Sequence, residues 1–340
     1  MHPALTHSSR RAASAWTPLV VGLTMAASSL PAQTPVVVTT GGGTAVQRAE
    51  LLLRDGRRAD AADLLGRHLA EQPTDGRAWL YLGRIYLADA QRWHRAGHAG
   101  DPPGSLLLDF AGAAFEQSQQ LLADSGNVHR VLVAVERTTN RVEQLGWIEA
   151  VHRGLPAEEL PLPPVLGELG RNLLASCPRG GVLVTGSMVE TAATWGIRLL
   201  EATRPDLLLL RPDLYAWDLR YRAQMARALD VDSTVDLPVA LSRASANRPI
   251  CLTPTVDSLT APALEWRVVR LVLAAGPAGA FGDEQISVHT FARTGLAGSV
   301  WSEAVRDVYD LAARRNQSLC QTLFGASDAQ GLPTIASCPR

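Results

Sequence analysis

Gly180-Gly181-Val182-Leu183-Val184-Thr185-Gly186-Ser187, followed by the segment Met188 to Glu201 and then by Arg204-Pro205-Asp206-Leu207-Leu208-Leu209-Leu210-Arg211-Pro212-Asp213, is the stretch that decides the fold. Val182 to Val184 is a short β-branched and apolar run without alternation, which suits a strand buried on both faces. Thr185-Gly186-Ser187 supplies a turn. From Val189 the apolar residues Val189, Ala193, Ile197 and Leu200 share one side, while Glu190, Thr194, Arg198 and Glu201 share the other, which is helical spacing. Pro205 disfavours helical geometry at Arg204, so the helix ends there and Leu207 to Leu210 form a second buried strand. A strand, a helix and a strand in this order predict a right-handed βαβ unit with parallel strands.

Further along the chain, helices are expected from Trp217 to Ala228 and from Leu237. Strands are expected from Pro249 to Thr253 and from Trp266 to Leu273. Glu303 to Phe324 reads as a long amphipathic helix with Val305, Val308, Tyr309, Ala312, Leu319 and Leu323 on one side. Residues 170–340 are therefore expected to form a three-layer α/β domain with a mainly parallel sheet, a C-terminal helix and a tail. Before it, the Pro, Glu and Leu of Leu155 to Pro164 predict an interdomain linker over 153–169.

Residues 45–152 read as helices throughout. Ala45 to Leu53 and Ala59 to Leu69 are separated by Arg54-Asp55-Gly56-Arg57, and the next helix carries Trp79, Leu82, Gly83 and Tyr86. That W-x2-L-G-x2-Y spacing resembles the first helix of a tetratricopeptide repeat, and Ala111 and Phe115 follow the A-x3-F spacing of a second helix. They arrive late, because Trp93 to Ser105 is inserted between the two. One repeat period earlier, Ala61, Leu65 and Pro73 match the same pattern, and Asn127 to Ala150 reads as a third, poorly matching hairpin. The resemblance, over about residues 44 to 124, implies a short solenoid with a concave groove for a protein or peptide partner.

A second resemblance covers about residues 170 to 275. Thr185, Thr191, Trp195, Glu201, Arg204, Pro205, Asp206 and Leu207 are similar, in register, to the soluble C-terminal region of the protein O-mannosyltransferase-like membrane proteins, and Arg248-Pro249-Ile250 is similar to a later strand of that family. Where the family carries an acidic turn, this chain has Ser187 and Met188 and keeps only Glu190. The family's membrane spans are also missing. The resemblance implies a related soluble accessory domain, glycosyltransferase-like in fold only.

The chain has 340 residues, a formal net charge of −1 and no Lys. Its arginines are scattered and balanced by acids, which excludes the basic patch of a nucleic-acid binder. Arg10-Arg11, an apolar run from Ala12 through Ala27 and the small residues up to Ala32 predict a secretory signal peptide over 1–32, with a flexible leader over 33–44. No later stretch approaches the roughly 20 apolar residues of a membrane span. A periplasmic or secreted protein is expected, with no transmembrane span in the mature chain. Its four cysteines, Cys177, Cys251, Cys320 and Cys338, then suggest disulfides. Cys320 with Cys338 is favoured, and Cys177 with Cys251 follows if their strands are neighbours.

Catalytic candidates are sparse. An anion could sit at the carboxyl end of the first strand, on Thr185, Gly186, Ser187 and the first amides of the next helix, with Ser187 as donor, Glu190 as base and Asp213 as a strand-end partner. The dinucleotide, P-loop and nucleophile-elbow patterns are all missing, and His289 has no sequence partner for a triad. If that turn were catalytic, Ser187→Ala and Glu190→Gln would abolish activity and leave the fold intact. His94 and His98, with Asp101 nearby, could present two imidazoles to a metal on a helix. Ala96-Gly97 and Ala99-Gly100 argue instead for a solvated loop, so no metal and no cofactor is expected. The reading that results is an exported cell-envelope binding or assembly protein. The alternative is an envelope enzyme, a glycan-related transferase or hydrolase, with its site at the Thr185 to Glu190 turn.

Overall fold

The computed structural model describes residues 44–98, 102–122, 125–152, 154–156, 158–282, 285–291 and 300–321. The expected signal peptide and all of the leader but Thr44 lie outside the described residues, as do Asp101, Leu323, Phe324 and Cys338. Among the described residues no helix is long and apolar enough to cross a membrane.

The chain is mostly helical, with one small sheet. Helices α1 (Ala45–Arg54), α2 (Arg58–Glu71), α3 (Gly76–Trp93), α4 (Pro102–Leu121), α5 (Asn127–Leu145) and α6 (Trp147–His152) precede α7 (Pro164–Ser176). Strand β1 (Val182–Val184), α8 (Met188–Glu201) and β2 (Leu208–Leu210) follow, then α9 (Pro212–Trp217), α10 (Leu219–Leu229), α11 (Leu237–Ala244) and β3 (Ile250–Leu252). Strands β4 (Arg267–Val269) and β5 (Val272–Ala275) and helix α12 (Val300–Arg315) come after these.

The order in the sheet is β2-β1-β3-β5-β4. Strand β1 pairs in parallel with β2 (Leu183 opposite Leu209) and with β3 (Leu183 opposite Cys251). The other two pairings, β3 with β5 and β5 with β4, are antiparallel, so the sheet is mixed rather than mainly parallel. The cause is a turn where one strand was expected between Trp266 and Leu273. Arg270 adopts φ of 48° there and folds the segment into a hairpin. Because β1 and β3 are adjacent, Cys177 reaches Cys251, and the two form a disulfide with Cα atoms 5.9 Å apart. It closes a 74-residue separation, which in the chain-entropy account stabilises the fold by about 4 kcal/mol.

Three other boundaries differ from expectation. Helix α7 begins at Pro164, within the expected linker, and that linker is packed: Leu160 is buried and the Leu155 N–H donates to the Leu199 carbonyl at 2.9 Å. The helix expected from Trp217 to Ala228 breaks at Asp218, whose side chain caps α10 by accepting from the N–H groups of Arg220 and Tyr221. Helix α12 stops at Arg315, and Leu319 lies on a separate turn capped by Asn316.

The core explains how the helices and sheet cohere. A small cluster joins α1, α2 and α3 through Ala49, Ala61, Leu65 and Leu82. A large one runs from Leu87 on α3 through α4 and α5 to β1, β2, β3 and α12. Gly83 lets α3 pack tightly on α4: a Cβ there would lie 2.6 Å from the Phe115 ring. Phe115 and Ala111 are fully buried, while Trp79 and Tyr86 are half-buried rather than core, with the Trp79 indole donating to the Pro73 carbonyl. Farther along, Trp147 on α6 meets Trp195 on α8 edge-on at 5.5 Å.

Candidate functional site

The chain leaves β1 towards β2 on one side and returns past β1 to β3 on the other. Loops at the carboxyl ends of β1 and β3 therefore diverge, and in open α/β sheets such a divergence makes a crevice. A cleft of about 580 Å³ opens there. Thr185 and Gly186 after β1, Arg211 after β2, and Thr255 and Val256 after β3 form one wall. Helices α3 and α5 form the other, with Arg84, Leu87, Ala88 and Gln91 from the first and His129, Leu132 and Glu136 from the second.

The turn that the sequence singled out forms part of this cleft, and its polar groups are committed to the fold. Ser187 Oγ accepts from the Glu190 N–H at 3.2 Å and Glu190 reaches back, which is a capping box on α8. The Glu190 carboxylate is wholly buried. It accepts from the N–H groups of Gly186 (3.2 Å), Ser187 (3.1 Å) and Thr255 (3.0 Å), from Thr253 Oγ1 (2.7 Å) and from Thr255 Oγ1. The Gly186 and Ser187 amides, which an external anion could have used, thus hold the Glu190 carboxyl group instead. Gly186 is needed for this closure, since a Cβ would lie 2.5 Å from Thr255 Oγ1. Thr185 bonds Thr191 within the same wall, and Asp213 pairs with Arg211. His289 is exposed and lies on a different segment.

Behind the cleft lies a group of charges that the sequence does not announce. Arg211 Nη1 donates to Glu136 Oε1 at 2.6 Å, and Gln91 Nε2 donates to the same oxygen at 2.8 Å. Burial opposes the Glu136 charge, but Arg211 and His94 overcome it and hold the carboxyl at about 2. At Arg211, the carboxylates of Glu136 and Asp213 outweigh burial and raise its pKa. His94 is not on a solvated loop. It follows α3 in a π-helical turn, closed by Gly97 at φ 82°, and is 3% exposed. Its Nε2 contacts Glu143 Oε1 and lies 3.3 Å from Asp218 Oδ2, while its Nδ1 is 3.5 Å from Glu136 Oε2. Burial would lower the His94 pKa, yet hydrogen bonds to Glu136 and Glu143 lift it to about 9. Glu143 is pushed up by burial against the pull of His94. His94, Glu143 and Asp218 are the described residues whose side chains could together hold a metal ion.

His129 occupies the α5 wall. Burial lowers its pKa to about 4, and the charge of Arg84 adds to the effect, although its Nδ1 meets the Ser125 carbonyl at 3.1 Å. The imidazole therefore faces the cleft neutral. Comparison with known proteins finds no matching family model, no matching curated protein and no matching solved structure.

Proposed function

We propose that this chain is an exported binding or assembly protein of the cell envelope, which receives a peptide segment of a protein partner in the cleft between α3, α5 and the carboxyl ends of β1, β2 and β3. The observation that carries this reading is the make-up of the cleft: an apolar floor of Leu87, Leu132 and Val256 is set among the side chains of Thr185, Thr191, Thr255 and Thr260. Arg84 and Asp257 stand exposed at its margins. Leu87, Leu132 and Val256 offer burial, and the more numerous polar and charged side chains around them offer the hydrogen bonds that would fix a peptide's orientation. The tetratricopeptide-like spacing of Trp79, Leu82, Gly83 and Tyr86 supports a protein or peptide as the ligand, because α3 carries that spacing and also forms one wall. The alternative, a glycan-acting enzyme at the Thr185 to Glu190 turn, has less support, since its base would be Glu190, which accepts five hydrogen bonds from the turn and the β3 loop.

Site-specific photo-crosslinking in the envelope tests the reading. A crosslinking amino acid at Ala88, which lines the cleft, is expected to give an adduct of one discrete mass. The same group at Ala223, on α10 and outside the cleft lining, should give none, and Thr260→Trp, which places a large side chain in the cleft lining, should remove the Ala88 adduct. Equal adducts at both positions, or an Ala88 adduct that survives Thr260→Trp, would overturn it.

A further inference from the structure

We propose that His94, Glu143 and Asp218 form a binding site for one divalent cation of the zinc class, which joins the end of α3 to α5 and α10. The inference is independent of what the cleft binds.

The argument begins with valence. An imidazole Nε2 can donate one hydrogen bond, yet Glu143 Oε1 and Asp218 Oδ2 both converge on it. Among the described residues, Glu143 Oε2 and Asp218 Oδ2 are buried without a hydrogen-bond partner. Buried carboxylate oxygens are costly in that condition, and a shared cation is one of the few groups that satisfies several at once. Ligand atoms of the three residues lie within 4.8 Å of one another. Atoms bound to zinc at about 2.0–2.2 Å fall inside that limit.

Each donor is also held in place. Asp218 Oδ1 is locked by the N–H groups of Arg220 (2.9 Å) and Tyr221 (2.8 Å), so Oδ2 is aimed inward by the cap of α10. Glu136 stands behind His94 Nδ1 and is itself fixed by Arg211 and Gln91. A carboxylate on the far nitrogen of a histidine is the arrangement that orients metal-bound imidazoles. The ion pairs point the same way. Arg211 is taken up by Glu136 and Asp213, so the carboxyl groups of Glu143 and Asp218 converge on one imidazole with no guanidinium between them. One nitrogen and two carboxylates favour zinc over calcium or magnesium, which take six or more oxygens or keep their waters.

The full chain, stripped with a chelator and then given zinc alone, tests this. It is expected to retain one zinc per chain after dialysis and to melt roughly 5 °C or more higher. Asp218→Asn keeps the helix cap, and Glu143→Gln keeps the side-chain shape. Both should fold by circular dichroism, lose the bound zinc and lose the thermal gain. Glu136→Gln should weaken binding about tenfold, whereas His68→Gln, which removes a separate His68–Asp75 pair, should change neither readout. No retained zinc in the parent chain, or equal retention in Asp218→Asn and Glu143→Gln, would overturn the proposal and leave the cluster held by protons. Should either variant fail to fold, cobalt in the parent chain decides: visible bands of a four-coordinate ion with a nitrogen and oxygen ligand set support the site, and their absence refutes it.

Discussion

The tripeptide Arg-Pro-Asp stands at both ends of β2, and the two copies begin alike. Arg204 forks onto Asp206 at 3.0 and 2.9 Å, and Arg211 onto Asp213 at 3.3 and 2.8 Å. They part at the other edge of the guanidinium. Arg204 donates to the main-chain carbonyls of Leu174, Cys177 and Pro178, which close the chain before β1. Arg211 donates to the side chain of Glu136, on a helix that walls the cleft. One tripeptide therefore fastens the backbone at the amino end of the sheet and joins two groups of helices and strands at the carboxyl end.

The strongest way to break this comparison is at Arg204. Arg204→Met would leave the Cys177 carbonyl without its donor, reduce the Leu174 and Pro178 carbonyls to long bonds from the Cys177 N–H (3.4 Å) and the Gly181 N–H (3.3 Å), and take the guanidinium fork from Asp206. An unsatisfied buried carbonyl costs about 1–3 kcal/mol and a hydrogen bond to a charged group contributes about 1.5–3 kcal/mol, so a loss on the order of 4 kcal/mol is expected in urea denaturation. Adding Asp206→Leu should recover little of it, since the main-chain partners remain. A loss under about 1 kcal/mol would show that these carbonyls find other donors.

Arg211 should behave differently. Arg211→Met leaves Glu136 ionised in the interior, and breaking such a pair costs about 3 kcal/mol. Here the partner is a side chain and can be replaced as well. The double variant Arg211→Met with Glu136→Leu is expected to regain most of the loss, because well-packed apolar groups often replace a buried pair at no net cost. If the double variant is as unstable as the single one, Arg211 too is a backbone fastener and the contrast fails.

That contrast also marks what could be read from residues alone. The run from Val182 to Leu210 gave its strands and its helix to within a few positions, because Gly180-Gly181 and Pro205 punctuate it and its apolar periods are unmixed. The Cys177–Cys251 bond was legible only on the condition that its strands are neighbours, a condition the unit leaves open and the β1–β3 pairing meets. Glu190 was legible in kind: Ser187-x-x-Glu190 is a capping-box spacing, and it argues for a structural carboxylate before it argues for a base. The structure accordingly removes the expectation that Glu190→Gln leaves the fold intact, since an amide there would set a donor against N–H groups. The break at Asp218 was not legible, for neither Gly nor Pro signals it and only a buried cap makes it. Arg270 at φ 48° likewise hides the β4–β5 hairpin, because the turn lacks the glycine that usually announces one. The His94 cluster was beyond local reading, as its members come from α5, α10 and the turn after α3. The nearby Gly97 reads as a loop, although it closes a π turn that buries the histidine.

The finest test asks whether the carboxyl end of the sheet responds to acid through His129. Phe115 stacks near its ring at 4.8 Å, Trp301 lies at 6.4 Å, and Arg84 is the charged group that shifts it. Its folded pKa is about 4 against an ordinary 6.5. The sign follows from which state holds the proton. Between these values the unfolded chain binds a proton that the folded chain refuses, so this group's contribution is full above 6.5, falls as the pH drops towards 4, and changes no further below. His129→Gln removes that dependence. In urea denaturation with chelator present, to keep metal binding out of the comparison, the parent chain should lose on the order of 1 kcal/mol more than the variant between pH 6.5 and 5.5. Other titrating groups are common to both proteins and cancel. Parallel pH profiles would mean that His129 takes up its proton as readily folded as unfolded, and hence that water reaches the α5 wall of the cleft more freely than its burial implies.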